Sequence, residues 1–167
     1  EPAVGEPATR AASFDYRAGV DPDEHQLLDA GADVFGPGTV MLLGSAACRE
    51  RGLRAAGRIA TATGTKVLIQ TFPARLERGA GLPNFERLAY LAEAAQFQQT
   101  GAEHLVLAGA RSPVSFFAYP GKASDLVPGG CQVHTVGGDV VARLEELADA
   151  VAPGTAPVLT ELKVPEL

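Results

Sequence analysis

The sequence predicts an α/β protein: a Rossmann-like, doubly wound parallel sheet of about five to six strands with helices on both faces. Three observations carry this. Short runs rich in Val, Leu and Ile recur at 39–43, 66–70, 104–108 and 132–136, as strands buried on both faces of a parallel sheet do. Stretches with apolar residues at helical spacing separate several of them, and a strand–helix–strand order in one sheet forms a right-handed unit. Two of the runs end at a glycine, Gly44 and Gly109, where such sheets turn the chain at their ligand edge.

Length and composition set bounds. At 167 residues, one domain is the natural count. The hydrophobic share of 46% supplies a core, while a net charge of −6 and a pI near 5.0 argue against nucleic acid or an anionic membrane as partner. No apolar run approaches the roughly 20 residues of a bilayer span. The polar, Pro-rich opening at 1–7 does not read as a secretory signal. Cys48 and Cys131 lie far apart without metal spacing, so both are expected as reduced thiols of a cytoplasmic protein. Cys48 falls near an expected helix start, where its pKa would drop; the competing reading is a small buried apolar residue.

In chain order, 1–19 reads as a linker, 20–152 as the domain, and 153–167 as a second linker or tail. Asp21-Pro22-Asp23-Glu24 has the form of a helix start, with Asp21 as N-cap, Pro22 in the first turn and Glu24 completing a capping box. Leu27, Leu28, Gly31, Val34 and Phe35 then share one helical face, and Gly36-Pro37-Gly38 stops it. The first strand, 39–43, turns at Gly44 into small residues, Ser45 and Ala46, and a helix expected over 47–63. Gly44 permits the tight turn, and the small side chains leave the helix N-terminus open to an anion. A turn that binds nothing is the alternative. Leu53, Ala56, Ile59 and Ala60 form this helix's inner stripe. Arg49, Arg51, Arg54 and Arg58 fall outside it as a solvated basic face, and Gly64 suits its end.

After the strand at 66–70, the irregular stretch 71–83 leaves the sheet at its ligand edge. Arg75 and Arg78 there either meet a phosphate or carboxylate, or are surface residues around Glu77. A third helix is expected over 84–99, with Phe85, Leu88, Leu91, Ala92 and Ala95 inward. The strand 104–108 ends in Gly109-Ala110-Arg111. Residues 115–118 read as a short strand or an apolar loop. Gly137-Gly138-Asp139 leads from the strand 132–136 into a last helix.

Catalytic constellations are scarce. His25, His104 and His134 have no second ligand at metal spacing. There is no Gly-x-Ser-x-Gly elbow, no phosphate loop ending in Gly-Lys-Ser/Thr, and no full Gly-x-Gly-x-x-Gly. Read from the residues, this is a ligand-binding or scaffolding domain without an evident active site.

Several stretches together resemble a known family. Val40-Met41-Leu42-Leu43-Gly44-Ser45, Lys66-Val67-Leu68-Ile69-Gln70-Thr71, His104-Leu105-Val106-Leu107-Ala108-Gly109-Ala110-Arg111 and Gln132-Val133-His134-Thr135-Val136 resemble, in order and spacing, the central domain of thiamine-diphosphate-dependent enzymes. The resemblance covers residues 21–152. It is to acetolactate-synthase-like large subunits, with benzoylformate decarboxylase nearby. It implies a non-catalytic central domain excised from a longer, oligomeric transferase or lyase acting on 2-oxo acids. The flanking pyrimidine- and diphosphate-binding domains would hold thiamine diphosphate and Mg²⁺.

In the FAD-binding members of that family the cofactor meets the first turn, the end of the second strand and a Gly-x-Arg turn. These match Gly44, Ser45 and Ala46; Thr71 and Phe72; and Gly109 and Arg111. Thr135-Val136-Gly137 stands where the family places an acidic residue, and the first turn is less Gly-rich, leaving FAD an open expectation. No catalytic or metal-ligating residue is implied within this segment. A free-standing dinucleotide-binding module for NAD or FAD is the alternative function.

Overall fold

In the computed structural model, residues 26–27, 33–118, 120–121 and 123–162 are described. Six strands form one sheet in the order β1-β6-β5-β2-β3-β4, and every pairing is parallel. The strands are β1 (Gln26–Leu27), β2 (Thr39–Leu43), β3 (Lys66–Ile69), β4 (Glu86–Arg87), β5 (His104–Ala108) and β6 (Gln132–Thr135). The helices are α1 (Glu50–Thr63), α2 (Ala92–Gln98) and α3 (Val140–Val151). Counting from β2, this is the doubly wound order, and it reverses between β2 and β5.

The two-residue alternation of the strands sorts the core into two layers. Met41, Leu43, Ile69, Val106 and Ala108 face α1 and α3, meeting Leu53, Ala56, Ile59, Leu144 and Leu147. Val40, Leu42, Leu68, Leu105 and Leu107 face the other side, covered by Ala92 and Ala95 of α2 together with Leu88 and Leu126. Asp139 caps α3, its Oδ1 accepting from the Val141 and Ala142 amides at 3.0 and 3.2 Å. Gly64 ends α1 in the left-handed region at φ 78°.

Three expected elements are corrected. Where a helix was expected from Asp21, Gln26 and Leu27 form β1 beside His134 and Thr135 of β6; residues 21–25 and 28–32 lie outside the described residues. Pairing with an edge that offers unmet backbone groups outweighs local helical spacing. Val34 and Phe35 of that expected helix lie in a turn and loop and pack on the core instead.

The expected third helix splits into β4 and a seven-residue α2. Glu86 and Arg87 pair with Leu68 and Ile69, and the Leu88 amide donates to Ile69 O at 2.7 Å. Gln98 fastens this strand to α2: its Oε1 accepts from the Ala89 amide and its Nε2 donates to Arg87 O. Helix α1 starts at Glu50 rather than 47. A 3-10 turn (Ser45–Cys48) precedes it, and the extended backbone of Arg49 separates the two. The stretch after β5 is an excursion closed by a Val114–Asp125 antiparallel bridge.

Candidate functional site

The switch point lies between the carboxyl ends of β2 and β5, where a doubly wound sheet opens a crevice. Here its base is closed by backbone. The Gly44 amide donates to Ala108 O at 3.0 Å. A Cβ on Gly44 would lie 2.5 Å from Gly109 O and 2.8 Å from the Ala110 Cα. Gly109 has φ +69°, and a Cβ there would lie 2.8 Å from Gly44 O. Gly44 is therefore required by packing between two turns; its bare Cα faces protein backbone.

The open space lies outward, over the ends of β3 and β5. A cleft of about 380 Å³ is lined by Ser45, Thr71, Phe72, Gly109 and Arg111, five of the seven positions expected from sequence. Gly44 lies buried beneath the cleft. Ala46 is exposed on the 3-10 turn and is not part of the lining.

The walls are aromatic. Phe72 and Phe116 are 64% and 62% exposed, and Tyr90 is 52% exposed. Ring centroids lie 5.4 Å apart for Phe72–Phe116, 5.1 Å for Phe116–Phe117 and 6.3 Å for Tyr90–Phe117. Tyr90 and Phe116 were not singled out from sequence. Tyr90 fell within the expected third helix, and the only signal for Phe116 was an apolar run after a strand had ended. Among the described residues of the lining, Arg111 is the one charged residue, and none is a carboxylate, imidazole or thiol. Such a wall can stack on a planar ring and meet one negative charge. Its described residues include no group that takes or gives a proton at neutral pH.

The N-terminus of α1 is not open. Glu77, from the loop 71–83, places Oε2 2.6 Å from the Glu50 amide and Oε1 3.0 Å from Arg49 Nη1. The Glu50 amide and then Arg49 hold its carboxyl below the usual carboxylate range. Arg75 and Arg78 are exposed and neither lines the cleft.

The arginines expected as a solvated face of α1 are paired within the chain. Arg51 meets Glu145 and Arg54 meets Glu50. Arg58 binds Asp149 and donates to the carbonyls of Ala148, Ala152 and Thr155.

Cys48 is fully buried, and burial pushes its thiol up to about 11. It is a packed residue with none of the activation that a helix start confers. Cys131 is half-buried, and neither cysteine is in a disulfide. His104 Nδ1 and His134 Nε2 lie 3.1 Å apart at the opposite end of the sheet from the cleft. Burial, then the His104 charge, lowers the His134 pKa. His25 lies outside the described residues. Among the described residues no group of three His, Cys, Asp or Glu could hold a metal, and no helix is long and apolar enough to cross a membrane.

No protein-family model matches the chain, and no solved structure gives a significant match. Over 140 residues, 83% of its length, it is 55% identical to the putative acetolactate synthase large subunit IlvX of Mycobacterium tuberculosis. The chain is acetolactate-synthase-like. The match spans 27% of that relative's length, a domain-sized part of it. Three of the six strands, β2, β3 and β5, carry the cleft of that part at their carboxyl ends.

Proposed function

We propose that this chain is the central, non-catalytic domain of a thiamine-diphosphate-dependent enzyme acting on 2-oxo acids. We further propose that its cleft keeps the ring-binding half of a nucleotide site. The observation that carries the first part is the 55% identity to a stretch making up 27% of an acetolactate-synthase-like relative. On this reading thiamine diphosphate and Mg²⁺ belong to flanking pyrimidine- and diphosphate-binding domains, and the full enzyme is a homo-oligomer. The central domain's work is to space those domains and present its carboxyl edge to them.

The cleft supports the second part by its size and walls. About 380 Å³ is near the lower end of the roughly 300–1,000 Å³ of ordinary ligand pockets, room for a ring system and not for an enclosed dinucleotide. Phe72, Tyr90 and Phe116 offer ring faces and edges, and Arg111 offers charge. FAD is the cofactor whose ring end suits these walls. At the end of β6, Thr135-Val136-Gly137 offers no acidic side chain for a ribose, and Val136 is buried in the core.

Two measurements test this. The chain, supplied with thiamine diphosphate, Mg²⁺ and pyruvate, is expected to give no product above a protein-free control; turnover would overturn the non-catalytic assignment. Calorimetric titration with FAD is expected to show binding that Phe116→Ala and Arg111→Ala together abolish. FAD binding that survives both changes would move the site off this cleft.

A further inference from the structure

After α3 the chain turns back and crosses α1, where residues 155–162 lie as a strap. Gly57 makes the seat. A Cβ on it would lie 2.8 Å from the Pro157 Cβ and 3.0 Å from the Pro83 Cγ, so both prolines rest against bare helix backbone. Arg58 Nε donates to Thr155 O at 3.2 Å. Pro83 ends the loop 71–83, and the strap is bonded to that loop. The Gly81 amide donates to Thr160 O and the Thr160 amide to Leu82 O, both at 2.9 Å. One turn before Arg58, Arg54 donates its Nη2 to Gly81 O at 2.8 Å.

The other end of the loop is a wall of the cleft. Thr71 and Phe72 line it, and the Phe72 ring centroid lies 5.4 Å from that of Phe116. Between the two ends, Leu76 packs on the core and the Glu77 amide donates to Cys48 O at 3.0 Å. One short segment thus joins the strap to the cleft. The strap is fastened to it by backbone bonds, while its large side chains stay outside: Val158 and Leu162 are 76% and 75% exposed. Lifting it uncovers little further apolar surface from these side chains. Segments held in this way open locally, well before the fold as a whole.

We propose that the strap and the loop 71–83 form one conformational unit, in which the seating of the strap on α1 sets where Phe72 stands in the cleft. With the strap seated, the loop is fixed at its far end by Thr160. With the strap lifted, Gly81 and Leu82 lose these bonds, the Glu77 and Arg54 contacts carry the loop, and Phe72 loses its fixed place against Phe116. The consequence for the parent enzyme rests on the reading of this chain as a central domain. On that reading the strap leads out of the domain, so a movement there is felt at the cleft.

The test uses the full 167-residue chain, which has no Trp, so Phe72→Trp supplies a single fluorescent reporter. Thr160→Pro removes the amide bonded to Leu82 O, and Pro157→Gly removes the ring seated on Gly57. Each, added to Phe72→Trp, is expected to move the emission to longer wavelength as the ring leaves Phe116. In the chain without the reporter, each is expected to speed exchange of the Glu77 amide about fivefold, the factor given by the net contribution of one hydrogen bond. Leu162→Ala, which alters an exposed side chain, should change neither reading. Coupling is reciprocal, so Glu77→Ala should speed exchange of the Thr160 amide. If folded Thr160→Pro and Pro157→Gly leave both the emission and the Glu77 amide unchanged, strap and loop are independent and the proposal fails. It fails too if Glu77→Ala leaves the Thr160 amide as it was. No ligand or substrate is used, so failure of FAD to bind, or turnover by the chain, leaves this result unchanged.

Discussion

Replacing Gly44 tests the claim that the switch point is closed by packing. An alanine Cβ would lie 2.5 Å from Gly109 O and from Gln70 Oε1, and 2.8 Å from the Ala110 Cα. Gln70 can swing its side chain aside, but the other two atoms are backbone held by the β2–β5 pairing. Overpacking of this kind costs about 1–3 kcal/mol, and two backbone collisions place Gly44→Ala at the upper end. The smaller entropy of the unfolded alanine chain returns about 0.4–1 kcal/mol, leaving a net loss of about 2 kcal/mol. With a urea m-value of about 1–3 kcal/mol/M, the unfolding midpoint should fall by about 1 M. Gly129 is the control. A Cβ there meets nothing within 4 Å, so Gly129→Ala should stay within about 0.5 kcal/mol of the wild type. Urea unfolding followed by circular dichroism reads both. A Gly44→Ala midpoint within the range of the control would refute the closed switch point and return Gly44 to the role of admitting a ligand.

The remaining predictions follow from single contacts. The His134 pKa is lowered from 6.5 by burial and by the His104 charge, so the unfolded chain binds more protons than the folded one just below that value. Stability is then full above about pH 6.5 and is lost as the pH falls through the lowered folded pKa. Urea midpoints across pH 5–8 should show this slope and His134→Gln should flatten it; an unchanged slope would sink the assignment. Arg58 donates to the Ala148 and Ala152 carbonyls at the end of α3 and to Asp149. Arg58→Met should therefore cost about 1–3 kcal/mol in thermal or urea unfolding, and a neutral result would show that water replaces these bonds. The Thr160 amide, bonded to Leu82 O, should exchange more slowly than those of Val158 and Leu159; equal rates would show that this contact is open in solution.

What could be read from the sequence was local in origin. The alternation Val40-Met41-Leu42-Leu43 assigns each residue to one of two core layers, because a strand's period is fixed by its own backbone. The start of the last helix after Asp139 and the Gly64 end of α1 were legible for the same reason. The edge strands were not. Gln26–Leu27 and Glu86–Arg87 are two residues each, and their partners lie far along the chain at His134 and Leu68. Nothing within them marks a strand. Glu77 reached its place in the same way: its partner Glu50 is 27 residues away, and only the folded loop reveals that the helix start already holds an anion.

The cleft itself was half legible, and the division has a physical cause. Ser45, Thr71, Gly109 and Arg111 follow strands, so parallel topology alone brings them to one edge. Tyr90 lay in a stretch whose spacing suggested a helix and Phe116 in an apolar run after a strand, and their meeting with Phe72 depends on the paths of two loops. Those loops carry a connected row of rings, from Phe72 through Phe116 and Phe117 to Tyr90, each 44% or more exposed. The floor beneath this row is closed by the Gly44–Gly109 contact, and the neighbouring helix end is taken by Glu77. The described residues thus make this edge a shallow wall of rings above a packed floor, with Arg111 as its charge.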